Sequence, residues 1–129
     1  MIVDTSAVMA IVRKEPEAKD FNALLSERQG AVISAATLVE LTMVAEGRGD
    51  EFAWAEVEAL LAQAGIEVVA FTPDQARIAQ DGWRRFGKGR HPAALNLGDC
   101  FAYALAKQRG EPLLFKGDDF SKTDVKAAI

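Results

Sequence analysis

The first twelve residues, MIVDTSAVMAIV (residues 1–12), decide the fold class of this chain. Residues 1–3 form a short apolar run with β-branched side chains, which predicts a strand that stops at Asp4. The hydroxyl of Thr5 or Ser6 can then cap a helix that continues to residue 12. A strand, a polar corner and a helix in this order indicate an α/β fold.

The same alternation of strand and helix continues through the rest of the chain. The apolar spacing predicts helices over 18–28, 37–46, 52–64, 73–86 and 98–109, and strands over 31–34, 66–71 and 112–115. Thr72 and Pro73 provide a helix cap and a first helical residue, and Thr37 and Glu40 have the spacing of a capping box. We therefore predict one α/β domain over residues 1–129, with a central parallel sheet and helices on both faces.

The composition narrows the class of protein further. Cys100 is the only cysteine, so neither an intrachain disulfide nor a multi-cysteine zinc site can form, and we expect this residue to be buried. The first residues lack a basic leader before an apolar run, and every apolar stretch is far shorter than the roughly 20 residues that span a bilayer. We expect a cytoplasmic protein with no membrane segment.

The net charge of −4 argues against a protein that binds nucleic acid, because affinity for the phosphate backbone comes largely from Lys and Arg. The charge is, however, distributed unevenly. Residues 83–91 (WRRFGKGRH) carry four formal positive charges and no acid. Since the local field at a surface depends on where the charges lie, an acidic total does not exclude an anionic partner.

Acidic residues follow the predicted strands or open the neighbouring helices. Asp4 follows the first strand, Glu40 lies in the helix after the second, Asp99 opens the helix before the last strand, and Asp118 and Asp119 follow that strand. The carboxyl ends of parallel strands share one edge of the sheet, so these acids are expected to converge. A ligand set that consists of carboxylates, with no His or Cys, is the kind that Mg²⁺ or Mn²⁺ prefers. A metal site of this kind suits phosphodiester cleavage by an activated water.

Each acid also has a purely structural explanation. Asp4 can cap a helix, Glu40 can be the partner in a capping box, and Asp99 can be a first-turn acid that the helix dipole favours. The residue pattern alone leaves both interpretations open.

Several motifs closely resemble those of the VapC family of PIN-domain toxins. They are residues 3–7 (VDTSA), 37–40 (TLVE), 87–91 (GKGRH), 95–106 (LNLGDCFAYALA), 112–120 (PLLFKGDDF) and 123–124 (TD). The resemblance covers almost the whole chain. It implies a three-layer α/β/α PIN domain with Mg²⁺- or Mn²⁺-dependent endoribonuclease activity, held inactive by a VapB antitoxin, and it also implies a homodimer.

The resemblance assigns roles to particular residues. It places Asp4, Glu40 and Asp99 at three catalytic, metal-binding positions, and Asp119 at the fourth, with Asp118 as the alternative. The hydroxyl of Thr5 or Ser6 resembles a group beside the metal that holds a water ligand or the scissile phosphate. These assignments come from the family and not from spacing.

The basic stretch is then the candidate contact for RNA phosphates, with Trp83 or Phe86 able to stack on an unpaired base. The residues assigned to this role are Arg84, Arg85, Lys88, Arg90 and, from the last strand, Lys116. The alternative is a solvated loop whose aromatic side chains belong to the core. Lys116 can instead neutralise the carboxylates. His91 is not expected to act as a base, because a metal-bound water needs no imidazole.

Partner surfaces and alternative functions complete the predictions. The apolar stripes of residues 37–44 and 52–64 are expected to serve mainly as part of the core. Any apolar surface that they leave exposed is expected to form a groove for an antitoxin helix or a second copy.

The main alternative function is a PIN-like binding module without catalysis. A phosphohydrolase of the haloacid dehalogenase type needs a second Asp two residues after the first, where this chain has Ser6.

Overall fold

The computed structural model describes residues 1–47 and 49–129; Arg48, which the sequence assigns to a loop, lies outside the described residues. The strands are β1 (Ile2–Val3), β2 (Val32–Ser34), β3 (Glu67–Val69) and β4 (Leu113–Leu114). They form one sheet in the order β3-β2-β1-β4, and every neighbouring pair is parallel. The predicted parallel sheet is confirmed.

Within the described residues the α-helices are α1 (Thr5–Val12), α2 (Ala18–Glu27), α3 (Ala35–Glu46), α4 (Ala53–Gln63), α5 (Pro73–Phe86) and α6 (Leu97–Arg109). All of the predicted helices are present. A 3₁₀ helix over Phe120–Lys122, which the sequence did not predict, follows β4. No helix in residues 1–47 or 49–129 has both the length and the apolar character needed to cross a membrane.

Two hydrophobic cores cover the two faces of the sheet. Each of β1, β2 and β4 contributes one residue to each core, because successive side chains of a strand point to opposite faces. Ile2, Val32 and Leu113 pack with α5 and α6. Val3, Ile33 and Leu114 pack with α1 to α4. The predicted α/β architecture with helices on both faces is therefore confirmed as three layers, and Cys100, on the inner side of α6, is buried as expected.

The strand order creates a crevice at one edge of the sheet. From β1 the chain passes through β2 to β3 on one side, and it later returns to β4 on the other side of β1. The connections next to β1 therefore leave in opposite directions. In open α/β sheets ligands bind at such a switch point, beyond the carboxyl ends of the strands.

The cap of α1 differs from the sequence prediction. Asp4, rather than Thr5 or Ser6, is the N-cap, and its carboxylate accepts a hydrogen bond from the backbone N–H of Ser6 at 2.9 Å. The helix begins directly at Thr5, which leaves no room for a hydroxyl cap before it. The structural explanation for Asp4 is thus correct, but it does not exclude a second role.

The cap of α3 also differs. The helix begins at Ala35, and Ser34 caps it by accepting a hydrogen bond from the N–H of Ala36 at 3.2 Å. Thr37 lies inside the helix, fully buried, so the predicted capping box with Glu40 is wrong. Because the helix starts two residues earlier than predicted, the Glu40 carboxylate has no capping role at Thr37. The predicted cap of α5 at Thr72, with Pro73 in its first turn, is confirmed.

Candidate active site

Three of the predicted acids line one cavity at the carboxyl edge of the sheet. Asp4 follows β1, Glu40 lies on α3 and Asp99 lies in the first turn of α6. Their side chains line an open cavity of about 510 Å³. Residues that are 36 and 59 positions apart in the sequence reach this cavity because β1, α3 and α6 meet at the switch point.

The two carboxylate oxygens of Asp4 have different surroundings. Oδ2 accepts hydrogen bonds from the Ser6 backbone N–H at 2.9 Å and from the Ser6 hydroxyl at 2.6 Å. The Ser6 hydroxyl oxygen in turn accepts a hydrogen bond from the backbone N–H of Lys116 at 3.0 Å. Oδ1 is buried and has no hydrogen-bond partner among the described residues. One oxygen is therefore fixed and the other lacks any compensating interaction.

The pKa of Asp4 is raised to about 7. Burial is the main cause, since desolvation disfavours the charged form. The hydrogen bonds from Ser6 act in the opposite direction, and the nearby carboxylates of Asp99 and Glu40 raise the pKa further. A cation in the cavity would therefore stabilise the charged form of Asp4.

Asp99 has both a structural role and a place in the cavity. Its side chain accepts a hydrogen bond from the backbone N–H of Asn96, while the Asn96 side chain accepts one from the N–H of Asp99, each at 2.9 Å. This reciprocal pair is the capping box of α6. Burial is again the main reason why the pKa of Asp99 is raised to about 6, and Glu40 and Asp119 add to the effect.

Gly98 makes room for the Glu40 carboxylate. A Cβ atom at position 98 would overlap the carboxylate oxygens of Glu40. Gly98 is buried in the first turn of α6, where glycine is not required for capping. Sequence reasoning did not identify this residue as part of the site; a glycine inside the first turn of a helix, beside an acid, was the available signal.

Asp118 and Asp119 lie at the margin of the site. Both are exposed, in the turn between β4 and the 3₁₀ helix, and neither lines the cavity. The Asp119 carboxylate is near enough to raise the pKa of Asp99, whereas Asp118 has no such effect. Of the two, only Asp119 therefore has an electrostatic effect on an acid of the cavity.

The side chains around the cavity are chemically suited to a hard divalent cation. The candidate ligands are carboxylate oxygens, and Asp4 Oδ1 is a buried acceptor without a partner. In residues 1–47 and 49–129, no three side chains of the His, Cys, Asp or Glu type form a ready-made ligand group. This arrangement still fits Mg²⁺, which is usually bound by one or two carboxylates and keeps several waters.

The two hydroxyls beside Asp4 are not equivalent. Ser6 donates to Asp4, as described above, and so belongs to the support of that carboxylate. The Thr5 hydroxyl lines the cavity, is buried and has no hydrogen-bond partner in the described part of the chain. Thr5 therefore has the free hydroxyl of the pair.

Lys116 lies at the rim of the cavity but is already engaged. Its ammonium group forms ion pairs with Glu15 and, at 3.2 Å, with Glu17. Both acids lie in the connection from α1 to α2. These partners are not the acids of the predicted site, so the structure does not show Lys116 neutralising those carboxylates, and its contact with RNA phosphates stays a prediction.

The basic stretch 83–91 lies on α5 and in the loop that follows. Arg85 is paired with Asp81 at 3.6 Å and with Asp124 at 3.2 Å, and the Arg90 guanidinium stacks 4.3 Å from the centre of the Trp83 ring. Arg84 and Lys88 are exposed. Their side chains form no ion pair with the other described residues, so they are the freer cations of this stretch.

The aromatic side chains of this stretch divide between core and surface. Phe86 packs against Arg85, His91 and Tyr103, and its ring is partly buried against the core. Trp83 is 42% exposed, and Arg90 covers part of its ring. His91 accepts a hydrogen bond from the Ala93 N–H through Nδ1 at 3.1 Å and lies outside the acidic cavity.

Comparison with known proteins identifies relatives along the whole length of the chain. The family model of the PIN domain matches residues 1–126. The chain is 44% identical over 125 residues to Ribonuclease VapC30 of Mycobacterium tuberculosis (97% of this chain, 95% of the relative). It is 46% identical over 129 residues to Ribonuclease VapC42 of the same organism (99% and 98%), and 45% identical over 127 residues to Ribonuclease VapC of Mycolicibacterium smegmatis (98% of each).

Solved structures show the same fold at lower sequence identity. M. tuberculosis VapC20, described as a toxin that cleaves the sarcin-ricin loop, superposes with a TM-score of 0.76 at 18% identity, covering 96% of this chain and 95% of that one. A chain of VapBC2 from Rickettsia felis, solved with a DNA fragment of its promoter, gives a TM-score of 0.75 at 14% identity, covering 98% and 94%.

Proposed function

This chain belongs to the VapC family of PIN-domain proteins, and from that premise we propose that it is a metal-dependent endoribonuclease, the toxin of a toxin–antitoxin pair. The observation that carries the proposal is the convergence of Asp4, Glu40 and Asp99 on one cavity at the switch point of the sheet. Relatives with more than 40% identity over nearly the whole chain are named ribonucleases, which supports RNA as the substrate.

The proposed metal ligands are Asp4, Glu40, Asp99 and Asp119, with Asp118 as the alternative to Asp119. Bound Mg²⁺ or Mn²⁺ would supply an activated water and offset the charge that develops on the phosphate. Asp4 would bind through Oδ1, because Ser6 already holds Oδ2. The free Thr5 hydroxyl is the better placed of the two hydroxyls to orient a water or a phosphate oxygen.

The residues of the basic stretch are proposed to contact RNA outside the cavity. Arg84 and Lys88 are the strongest candidates, because Arg85 is held by two carboxylates and Arg90 by stacking on Trp83. The partly exposed Trp83 ring could accept an unpaired base on the part that Arg90 leaves open. Lys116 is a weaker candidate while Glu15 and Glu17 hold it.

The proposed protein partners are a VapB-type antitoxin and a second copy of the chain. Helix α3 supports this proposal, because it buries Leu41 and Ala45 but leaves Val39 and Met43 55% and 69% exposed. Helix α4 uses Ala53 and Val57 for the core, as the sequence predicted. The solved complex from R. felis contains VapB and VapC, which supports an antitoxin partner here. We also propose a cytoplasmic location, because cellular RNA is the proposed substrate.

The proposal is tested by RNA cleavage with protein freed of any antitoxin. A mixed RNA substrate is incubated with Mg²⁺, with Mn²⁺ and with EDTA, using the wild-type protein, Asp4→Asn and Asp99→Asn. Asp74→Asn is the matched control, because Asp74 is also a first-turn acid after a strand but does not line the cavity. We expect metal-dependent cleavage that Asp74→Asn retains and the other two variants lose by at least about 100-fold.

Activity that survives EDTA, or that survives both substitutions in the cavity, would contradict a metal-dependent site. Metal-independent RNA binding without cleavage would favour the alternative of a PIN-like binding module. Mixing the protein with the product of the neighbouring reading frame, followed by size-exclusion chromatography with light scattering, tests the antitoxin and the dimer separately from catalysis.

A further inference from the structure

The charged residues that line the cavity pose a problem for a polyanionic substrate. Four carboxylates line it, those of Asp4, Glu15, Glu40 and Asp99. The lining residues include two cations, Arg13 and Lys116. Because RNA carries one negative charge per nucleotide, the approach of the scissile phosphate depends on positive charge at the rim as well as on a metal.

The two cations differ in what they already bind. Lys116 is held by Glu15 and Glu17, and its backbone N–H is bound to Ser6. A lysine between two carboxylates contributes little net positive charge to an incoming phosphate. It would also have to break existing ion pairs before it could bind one.

The Arg13 side chain, by contrast, has no ion-pair partner among the described residues. Arg13 is the C-cap residue of α1, and its side chain is exposed. Its backbone N–H completes the helix by donating to Met9 and Ile11, so the backbone position is fixed while the guanidinium remains available. A guanidinium presents a planar fork of donors that binds two phosphate oxygens together.

We propose that Arg13 binds a backbone phosphate of the RNA at the rim of the acidic cavity, next to the phosphate that is cleaved. The inference rests on the proposed ribonuclease function and adds a substrate-binding residue to it. Arg13 lies outside the basic stretch 83–91, so it would hold a different part of the RNA backbone. Lys116 then acts by holding the connection between α1 and α2, in which Arg13 lies, through Glu15 and Glu17.

The test compares Arg13→Gln with the wild-type protein in two measurements on one fluorescein-labelled single-stranded RNA. The first is KM and kcat for cleavage with Mg²⁺. The second is the salt dependence of binding, followed by fluorescence anisotropy with EDTA present. A lost phosphate contact is expected to raise KM about 3- to 10-fold with a smaller change in kcat, and to reduce the slope of log affinity against log salt by about 0.7.

Two further variants separate this role from general electrostatics. Arg28→Gln is the matched control, because Arg28 is also an exposed C-cap arginine, on α2, but it precedes β2 at the opposite edge of the sheet. It is expected to leave KM and the slope unchanged. Arg13→Lys keeps the charge but loses the planar fork of donors. It should therefore retain the salt slope of the wild-type protein and raise KM less than Arg13→Gln does.

The outcomes distinguish the two proposals. If the wild-type protein cleaves RNA and Arg13→Gln has the same KM and slope, or changes them no more than Arg28→Gln does, the phosphate contact is overturned while the ribonuclease function stands. If the wild-type protein binds but does not cleave, and Arg13→Gln still lowers the slope, the ribonuclease function fails while the contact is supported.

Discussion

At the scale of single residues, the site depends on how Asp4 is held. The chain uses one oxygen of this carboxylate for hydrogen bonds to Ser6 and leaves the other buried without a partner. A buried acceptor without a hydrogen bond is costly, and a metal ligand bond would remove that cost. The same residue therefore caps α1 with one oxygen and leaves the other without a partner, so the structural role of Asp4 is compatible with the proposed catalytic one.

Removing the hydroxyl of Ser6 tests this arrangement. Ser6→Ala deletes the 2.6 Å bond to Asp4 and the acceptor for the Lys116 N–H, so Asp4 Oδ2 keeps the bond from the backbone N–H of residue 6 but is held less firmly. Because groups that orient a metal ligand typically contribute 10- to 100-fold to affinity, we expect Mn²⁺ affinity to fall by at least about 10-fold. Isothermal titration with Mn²⁺ measures this, and Ser6→Thr should restore most of it.

Ser34→Ala is the matched control for that experiment. Ser34 caps α3 with its hydroxyl but does not line the cavity. Its loss should cost about 1 kcal/mol of folding stability without changing Mn²⁺ affinity. Equal effects of Ser6→Ala and Ser34→Ala on Mn²⁺ affinity would show that the Ser6 hydroxyl serves folding alone.

Gly98 gives a second prediction at this scale. Gly98→Ala forces the Glu40 carboxylate to move, since the new methyl group would occupy its position. The displaced group is the end of a flexible side chain and alanine favours the helix, so the melting temperature should change little. We expect kcat/KM for RNA to fall at least about 10-fold. Partial recovery in Gly98→Ala combined with Glu40→Asp would support the steric cause, and unchanged activity in Gly98→Ala would exclude it.

At the scale of elements, the close contact of α5 and α6 depends on a glycine in α5. Gly82 on α5 is buried, and a Cβ there would lie 2.5 Å from the Tyr103 ring of α6. Tyr103 also donates a hydrogen bond from its hydroxyl to Asp124 at 2.9 Å, and Lys107 and Arg85 bind the same carboxylate. These hydrogen bonds and ion pairs join both helices to the C-terminal segment that follows Asp118 and Asp119 in the sequence.

Gly82→Ala tests the packing of these helices. In an ordinary helix position alanine is more stable than glycine by about 0.8 to 1 kcal/mol, but overpacking of a core costs about 1 to 3 kcal/mol. At position 82 the overlap with the rigid Tyr103 ring should outweigh this advantage of alanine. We therefore expect Gly82→Ala to lower the free energy of urea unfolding. Gln80→Gly and Gln80→Ala, at an exposed position of α5, provide the ordinary helix difference for comparison. A stabilised Gly82→Ala would mean that the helices can separate at little cost.

At the scale of the whole molecule, the acids of the cavity link folding to pH. The pKa values of Asp4 and Asp99 are raised to about 7 and about 6, above those of an unfolded chain. Between about pH 4 and pH 7 the folded protein therefore holds protons that the unfolded chain has released. The free energy of unfolding of the metal-free protein should fall as pH rises through this range, because the unfolded state binds fewer protons there.

Urea unfolding at pH 5, 6, 7 and 8 in EDTA measures this fall, which for Asp4 is of the order of a few kcal/mol. Asp4→Asn should flatten most of it, because the amide does not titrate. Mg²⁺ should stabilise the wild-type protein more at pH 8 than at pH 5, since a proton competes for the same oxygens. A wild-type stability that does not fall with pH would refute the raised pKa of Asp4.

Much of the fold was predictable from the sequence, because it depends on local patterns. Apolar periodicity and turn residues identified the strands and helices of residues 1–47 and 49–129 apart from the short 3₁₀ helix at Phe120, and their alternation implied the parallel sheet. The position of acids after strands placed Asp4, Glu40 and Asp99 at one edge. Family motifs then supplied roles that periodicity cannot provide.

The direction of individual side chains was decided only by the tertiary structure. Ser6 rather than Thr5 supports Asp4, Thr37 is buried instead of capping a helix, and Lys116 pairs with Glu15, which is 101 residues away. The sequence gives no sign that Arg13 shares a cavity with Asp99. Hydrophobic periodicity and capping act over a few residues, whereas these contacts exist because the sheet brings distant strand ends together and packing fixes which atoms face each other.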